Sequence, residues 1–181
     1  VDIVPYISGF LEKIYVSGGQ YVDSGDKLIL IRPDEYQASL DAAKAAVMEA
    51  KATLNNASVY YERIKQAGTE VISKTELDNA KASYLSAQAA LSQAKANYEL
   101  AKVNLGYTEI KAPISGIIGE VSLTVGDYVS PSSQELFSII SYNPIRVVFA
   151  ISDKDYLEEV KKGTFFKDNK IQLRLADGSL Y

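Results

Sequence analysis

The chain has 181 residues, 47% hydrophobic side chains and a net charge of −4, a composition that is ordinary for folded protein and argues against disorder. The acidic balance lacks the positive field that drives binding to phosphate backbones, so no nucleic acid is expected as a partner. The sequence contains no histidine and no cysteine, which excludes Ser-His and Cys-His nucleophile pairs, the usual zinc sites and disulfides.

The first predicted elements belong to an internal repeat. Residues Ser8–Val22 align without a gap to Ser115–Val129, and both copies continue into an apolar strand. In each copy a Ser-Gly turn leads to alternating apolar residues and then to a Tyr-Val pair. Gly19 and Gly126 stand where a tight turn needs positive φ, so each copy is predicted to form a β-hairpin unit. An isolated hairpin is marginal in water, and we therefore expect the two units to share one core.

Two helical arms are predicted between the copies, because apolar residues recur there at alternating spacings of three and four. The first seam comprises Leu40, Ala43, Val47, Ala50, Leu54, Ala57, Tyr61 and Ile64, and the second comprises Leu77, Ala80, Tyr84, Ala87, Leu91, Ala94, Tyr98, Ala101 and Leu105. Large residues alternate with alanines, so each large side chain is expected opposite a small one. An arm of about 30 residues reaches roughly 45 Å.

Alanines outside the seams have two interpretations. They either allow hairpins to pack side by side or serve only as good helix formers. The residues concerned are Ala42, Ala46, Ala52, Ala82, Ala89 and Ala96.

The arms are joined by Gly68–Ile72, a connection short enough to require an antiparallel return. Residues Ser73–Glu76, which start the second helix, have the sequence of a capping box, with Ile72 and Leu77 placed as its hydrophobic staple. Exposed apolar side chains at the end of the hairpin would suggest docking, and Val71 is the one apolar residue there that the staple does not use.

After the hairpin and the second repeat copy the pattern changes again. Residues 145–151 are predicted as a strand, Ser152 caps a short helix through about Lys162, and 171–175 alternate as another strand. These strands are too few to close a β domain, so 145–181 is interpreted as a fragment of a third domain. No run of about 18 apolar residues and no signal peptide is present, so the protein is either soluble or anchored by a segment outside this sequence.

Two half-motifs that flank a heptad hairpin, followed by a strand-helix-strand segment ending in Asp-Gly, resemble the membrane fusion protein family, also called periplasmic adaptors. The most specific pieces are Val4–Phe10, Gly19–Val22 and Gly25–Asp26 in the first half, with Ile110–Gly116 and Gly126–Val129 in the second. The resemblance covers essentially the whole chain.

The resemblance implies an α+β multidomain fold. A lipoyl-like β-sandwich is expected in two halves, 1–33 and 108–144, split by a long antiparallel α-helical coiled-coil hairpin over 34–107. Residues 145–181 would then form part of a β-barrel domain. No cofactor is expected, because the turn on which lipoyl carriers present a lysine is replaced here by the hairpin.

The function implied by the resemblance is that of a periplasmic adaptor in a tripartite efflux or secretion system, not an enzyme. Such a protein links an inner-membrane transporter to a TolC-like outer-membrane channel and self-associates into a ring. It would lie in the periplasm, anchored to the inner membrane by a segment absent from this chain. A proton-driven (RND) pump is the first expectation. An adaptor of an ABC-type exporter is the alternative, and a coiled-coil interaction module unrelated to export also stays open.

The hairpin end is the expected contact with the channel. The resemblance implies an Arg, a Leu and a Ser in register at this end, with the Ser just before the second helix. Ser73 matches, whereas the Leu and Arg positions fall on Gln66 and Glu62, with Arg63 one place off. The candidate partner-binding residues are Arg63, Gln66, Thr69, Glu70, Val71 and Ser73.

Overall fold

A computed structural model of the chain describes residues 1–67, 72–132, 135–141, 148, 150 and 152–162. The chain divides into two compact units, Val1–Asn143 and Pro144–Tyr181, one residue from the division predicted between 144 and 145. The first unit contains the repeat copies and the two long helices.

The second unit is described only in part. Its helix, α3, spans Asp153–Lys162, and the Tyr156 amide donates to the Ser152 carbonyl at 3.0 Å, so the predicted helix and its start are confirmed. The strand predicted at 171–175 lies outside the described residues. Of the strand predicted at 145–151, only Val148 and Ala150 are described, and neither is in a strand. The β-barrel fragment therefore stays a prediction.

Among the described residues of the first unit, eight short strands form two antiparallel sheets of four. The strands are β1 Asp2–Ile3, β2 Gly9–Ile14, β3 Tyr21–Val22, β4 Lys27–Ile31, β5 Glu109–Lys111, β6 Gly116–Ile118, β7 Tyr128–Val129 and β8 Phe137–Ile140. Sheet one has the order β1-β8-β6-β3, and sheet two has the order β5-β4-β2-β7. Each sheet thus takes two strands from each repeat copy.

The two sheets are related by the repeat. Replacing every strand of one copy by its counterpart in the other converts the order of sheet one into that of sheet two. Equivalent residues stand 107 positions apart, as Gly126 does after Gly19. The backbone bonds follow the same rule, since Gly19 donates to the Ile118 carbonyl and Gly126 donates to the Leu11 carbonyl, both at 2.9 Å. The sandwich therefore has an internal pseudo-two-fold axis.

The predicted turn glycines are confirmed, but the predicted hairpin units are wrong. Gly19 and Gly126 have φ of 81° and 99°. However, β2 and β3 lie in different sheets, and β3 pairs with β6 of the other copy. At the turn the chain crosses from one sheet to the other. The Gly19 amide donates to the Ile118 carbonyl, which belongs to the second repeat copy, and so the strand after the turn pairs with that copy. The turn residues determine the local reversal but not the pairing that follows.

One hydrophobic core joins the two copies, as expected. Its buried members come from both sheets and both halves, and they are Ile3, Ile7, Leu11, Val16, Val22, Leu28, Ile29, Ile31, Ala112, Ile118, Val129, Leu136, Phe137 and Ile139. Burying a side chain such as Leu or Ile contributes about 1.5–3 kcal/mol. Because each half supplies only part of these side chains, the full stabilisation requires both halves.

The two helices are α1, Asp34–Ala67, and α2, Lys74–Gly106. Every one of the seam residues predicted above is buried or half-buried, and the remaining described positions of both helices are exposed except Tyr36, Ser58 and Asn104. The heptad prediction is therefore confirmed. A helix of 33 residues is about 50 Å long.

At one position along the seam, the predicted pairing of a large residue with a small one is not found. Tyr61 and Tyr84 stack on each other, with ring centroids 5.7 Å apart and an interplanar angle of 16°. A large residue there lies opposite another large residue. Flat rings can share the space between two helices by stacking, which branched aliphatic side chains cannot do.

Candidate functional site

The hairpin tip, defined as residues 60–67 and 72–77, contains three of the predicted partner-binding residues. Arg63, Gln66 and Ser73 are exposed there. Thr69, Glu70 and Val71 lie outside the described residues. The structure therefore places three of the six candidates at one end of the hairpin.

Ser73 is the N-cap of α2. Its backbone is extended, with φ −67° and ψ 145°, and its hydroxyl accepts a hydrogen bond from the Glu76 amide at 3.2 Å. This half of the predicted capping box is confirmed. The Glu76 carboxylate instead accepts a hydrogen bond from the Tyr60 hydroxyl at 3.4 Å.

Tyr60 is a tip residue that the sequence reasoning missed. Its hydroxyl joins α1 to the first turn of α2, and the residue is 44% exposed. The Tyr60-Tyr61 doublet was the available signal. Because Tyr61 lies in the seam, its neighbour must lie beside the seam, where a long side chain can reach across to the other helix.

The charges of α1 near the tip are arranged around Tyr61. Lys65 pairs with Glu62 at 3.7 Å, and its ammonium lies 5.9 Å from the centre of the Tyr61 ring. Both ionic groups are exposed, so their contribution to stability is small. Arg63 and Gln66 are exposed on the same end of α1 as this ion pair.

The base of the hairpin is tied to the sandwich at both helices. Tyr36 of α1 donates its hydroxyl to the Ser8 carbonyl at 2.7 Å, and partial burial raises the pKa of this phenol. At the end of α2, the Thr108 hydroxyl donates to the Leu105 carbonyl at 2.7 Å. The Thr108 carbonyl accepts from the Ile31 amide at 2.8 Å. These bonds fix where each helix leaves and rejoins the sandwich.

An ion-pair cluster lies on sheet two between β4 and β5. Glu109 contacts Lys27 at 2.8 Å and Lys111 at 3.5 Å. The hydrogen bond from Lys27 lowers the pKa of the Glu109 carboxyl, and the same bond raises the pKa of Lys27. The cluster joins strands from the two repeat copies.

Within the part of the chain that the structure describes, no group of histidine, cysteine or acidic residues is arranged to hold a metal ion. In the same residues, no helix combines the length and the hydropathy needed to cross a bilayer. The exposed aspartates and glutamates of the hairpin are solvated helix charges.

The structure defines a class of proteins in which a sandwich is closed from two distant segments and a long helical hairpin is inserted between them. Residues 1–141 match the family model described as "RND MFP, barrel-sandwich hybrid domain". This chain belongs to that family of membrane fusion proteins.

Three known proteins illustrate the family. The chain is 38% identical to the efflux pump periplasmic linker BepF of Brucella suis, over all of this chain and 45% of the relative. It is 36% identical to the multidrug efflux pump subunit AcrA of Escherichia coli, over 98% of this chain and 47% of the relative. The chain thus spans about half the length of these relatives.

The third is a crystal structure of a MacA–MexA chimeric protein that contains the Pseudomonas aeruginosa MexA α-hairpin domain. It is 31% identical, with a TM-score of 0.54, over 77% of this chain and 46% of the chimera. The fold of β-sheets combined with a long helical hairpin is therefore found in a solved structure of the family.

Proposed function

We propose that this chain is the sandwich-and-hairpin part of a periplasmic adaptor subunit. The adaptor links an inner-membrane transporter to an outer-membrane channel, and copies of it self-associate into a ring. A transporter of the RND class is favoured, because the family model that matches the chain carries that designation. The anchor to the inner membrane would lie in a segment outside this chain.

The observation that carries the proposal is the attachment of the hairpin at both ends. Tyr36 bonds to Ser8 at the start of α1, and Thr108 bonds to Ile31 at the end of α2. A pair of helices about 50 Å long that is held at two points of one core acts as a strut. A strut suits a protein that must keep two partners at a defined distance.

The tip would make the contact with the channel. Arg63, Gln66 and Ser73 offer hydrogen-bonding groups at the end furthest from the sandwich. The tip lacks the leucine expected from the family pattern at Gln66. The contact in this protein would accordingly be more polar and would depend more on hydrogen bonds.

The test uses the natural absence of cysteine. In the full-length protein, a Gln66→Cys variant places one thiol at the tip, and a Glu49→Cys variant places one on an exposed position about 25 Å down α1. With a short thiol-to-amine cross-linker in cells, we expect the Gln66→Cys variant to capture the outer-membrane channel and the Glu49→Cys variant to capture little. Equal capture by both variants, or none while both still support export, would contradict the proposed tip contact.

A further inference from the structure

The two repeat copies differ in how far their strand ladders extend. In the first copy, β2 pairs with β4 as far as Ile14, and the Tyr15 amide then donates to the Leu28 carbonyl at 2.9 Å. In the second copy, the equivalent pairing of β6 with β8 ends at Ile118. Because Ile14 corresponds to Val121 in the repeat, the second ladder ends three residues before its counterpart.

The segment that follows β6 is left without strand partners. The Gly119 amide still donates to the Ser138 carbonyl at 2.8 Å. Beyond that bond, residues 120–123 make no backbone hydrogen bond to another described residue. A cavity of about 490 Å³ is lined by this segment and by residues 135–138. It is called the second-copy cavity, because the first copy has a strand ladder at the equivalent place.

Buried apolar side chains form the floor of the second-copy cavity. Val129, Leu136 and Phe137 line it, are 2%, 5% and 3% exposed, and belong to the shared core. Leu123, Ser122 and Ser138 complete this part of the wall. Pockets that take small molecules have volumes of about 300–1,000 Å³ and apolar walls with a few polar groups. The second-copy cavity has this size and this composition.

The rim of the cavity is acidic. Glu120 and Glu135 line it and are exposed, and the described lining residues include no lysine or arginine. Neither carboxylate forms an ion pair with a described residue. Their counterparts in the first copy are Lys13 and Leu28, so the acidic rim occurs only where the ladder is interrupted.

An aromatic ring adds a second feature that favours positive charge. Tyr128 lines the cavity and is 60% exposed. Its ring packs edge-to-face on Phe10 of β2, with centroids 5.1 Å apart, and this contact positions it. The face of a tyrosine ring attracts organic cations. The carboxylates and the ring therefore select ligands of the same charge.

We propose that the second-copy cavity binds a small organic cation, a protonated amine on an apolar body. The amine would approach Glu120 and Glu135 at the rim, and the apolar body would cover the buried side chains of the floor. The carbonyl groups of 120–123, which have no strand partner, can accept further hydrogen bonds from an ammonium group. The inference goes beyond the proposed function, because linking a transporter to a channel requires no small-molecule site.

The first test measures binding of phenylbutylamine to the full-length protein by equilibrium dialysis, with phenylbutanoate as the anion of matched shape. We expect the amine to bind and phenylbutanoate not to bind. Glu120→Gln/Glu135→Gln should weaken binding of the amine by roughly threefold to tenfold, because exposed charge pairs contribute modestly. Asp41→Asn/Glu49→Gln, on exposed positions of α1, is the matched control and should leave the binding unchanged.

A second test locates the bound amine with single cysteines in the cysteine-free chain. Ser122→Cys places a thiol in the wall of the cavity, and Lys51→Cys places one on an exposed position of α1. Saturating phenylbutylamine should slow the alkylation of Ser122→Cys by iodoacetamide severalfold. The alkylation of Lys51→Cys should keep its rate.

Three results would overturn the inference. They are no binding of the amine, equal binding of the amine and phenylbutanoate, and binding that changes neither with the glutamine pair nor the alkylation of Ser122→Cys. If the glutamine pair reduces cross-linking to the transporter while the amine never binds, the carboxylates serve a protein partner and the inference is wrong. Capture of the channel by Gln66→Cys should be equal with and without the glutamine pair, so the tip contact and the cavity are tested separately.

Discussion

Gly126 and Gly106 both have open surroundings, but their backbones adopt different conformations. A Cβ added at Gly126 or at Gly106 would meet no atom within 4 Å. Gly126 has φ 99°, whereas Gly106 is the last residue of α2. The consequence of substituting either residue therefore depends on the backbone alone.

We predict opposite effects of alanine at these two sites. Gly126→Ala should destabilise the protein by about 1–2 kcal/mol, because alanine is strained at positive φ. Gly106→Ala should stabilise it by about 0.5–1 kcal/mol, because alanine loses less backbone entropy in a helix. Urea unfolding of the two variants checks the signs, and destabilisation of similar size in both would contradict this reading of the turn.

The ion-pair cluster on sheet two predicts a dependence on pH. The folded-state pKa of Glu109 is lowered by Lys27, so its stabilising effect is present above the unfolded pKa and is lost as the pH falls through the folded value. The effect is small because the side chains are exposed. The raised pKa of Lys27 has the opposite sense and matters only at strongly basic pH.

Comparing Glu109→Gln with the natural protein isolates this effect. The difference between their urea midpoints should be present at about pH 7 and shrink in acid, as the pH falls through the lowered folded-state pKa and the natural carboxyl becomes protonated. Asp41→Asn, on the exposed surface of α1, serves as the matched control. A difference for Glu109→Gln that persists unchanged in acid would mean that packing, not charge, accounts for it.

At the scale of elements, the seams of the two helices were predictable to the residue and the strand pairing was not. Periodicity identifies a helix seam because each position, from Leu40 to Leu105, contributes the same local signal. Strand pairing depends on a partner about 100 residues away, as the bond from Gly19 to Ile118 demonstrates. The same limit explains why the edge-to-face pair of Phe10 and Tyr128 was not anticipated, because each residue reads as an ordinary strand position in its own segment.

The seam predicts a further contrast between two alanines of α2. Ala80 is 2% exposed within the seam, and Ala96 is exposed outside it. Ala80→Leu should cost about 1–3 kcal/mol, because the added methyl groups force the helices apart. Ala96→Leu should change stability by less than about 0.5 kcal/mol. Thermal unfolding followed by helical circular dichroism measures both, and equal effects would mean that the helices do not pack along this seam.

At the scale of the whole first unit, one repeat has been divided between two sheets. Each copy supplies two strands to each sheet, so the core exists only when both copies are present. Because the hairpin is inserted between the two copies, the shared core determines where both helices are attached. A ligand or partner that moves the base of the hairpin relative to the sandwich must act against the bonds from Tyr36 to Ser8 and from Ile31 to Thr108.

The most direct test of this account is a disulfide between the two copies. Lys27 of β4 and Lys111 of β5 are register partners, and the Cα atoms of such pairs lie within the range that a disulfide spans. A Lys27→Cys/Lys111→Cys variant of the cysteine-free chain should form an intramolecular disulfide on mild oxidation. A Lys27→Cys/Lys95→Cys variant should not. Mass spectrometry of the digested monomer gives the answer. A bond between positions 27 and 111 is the predicted result, and free thiols at both positions in the folded protein would contradict the single shared core.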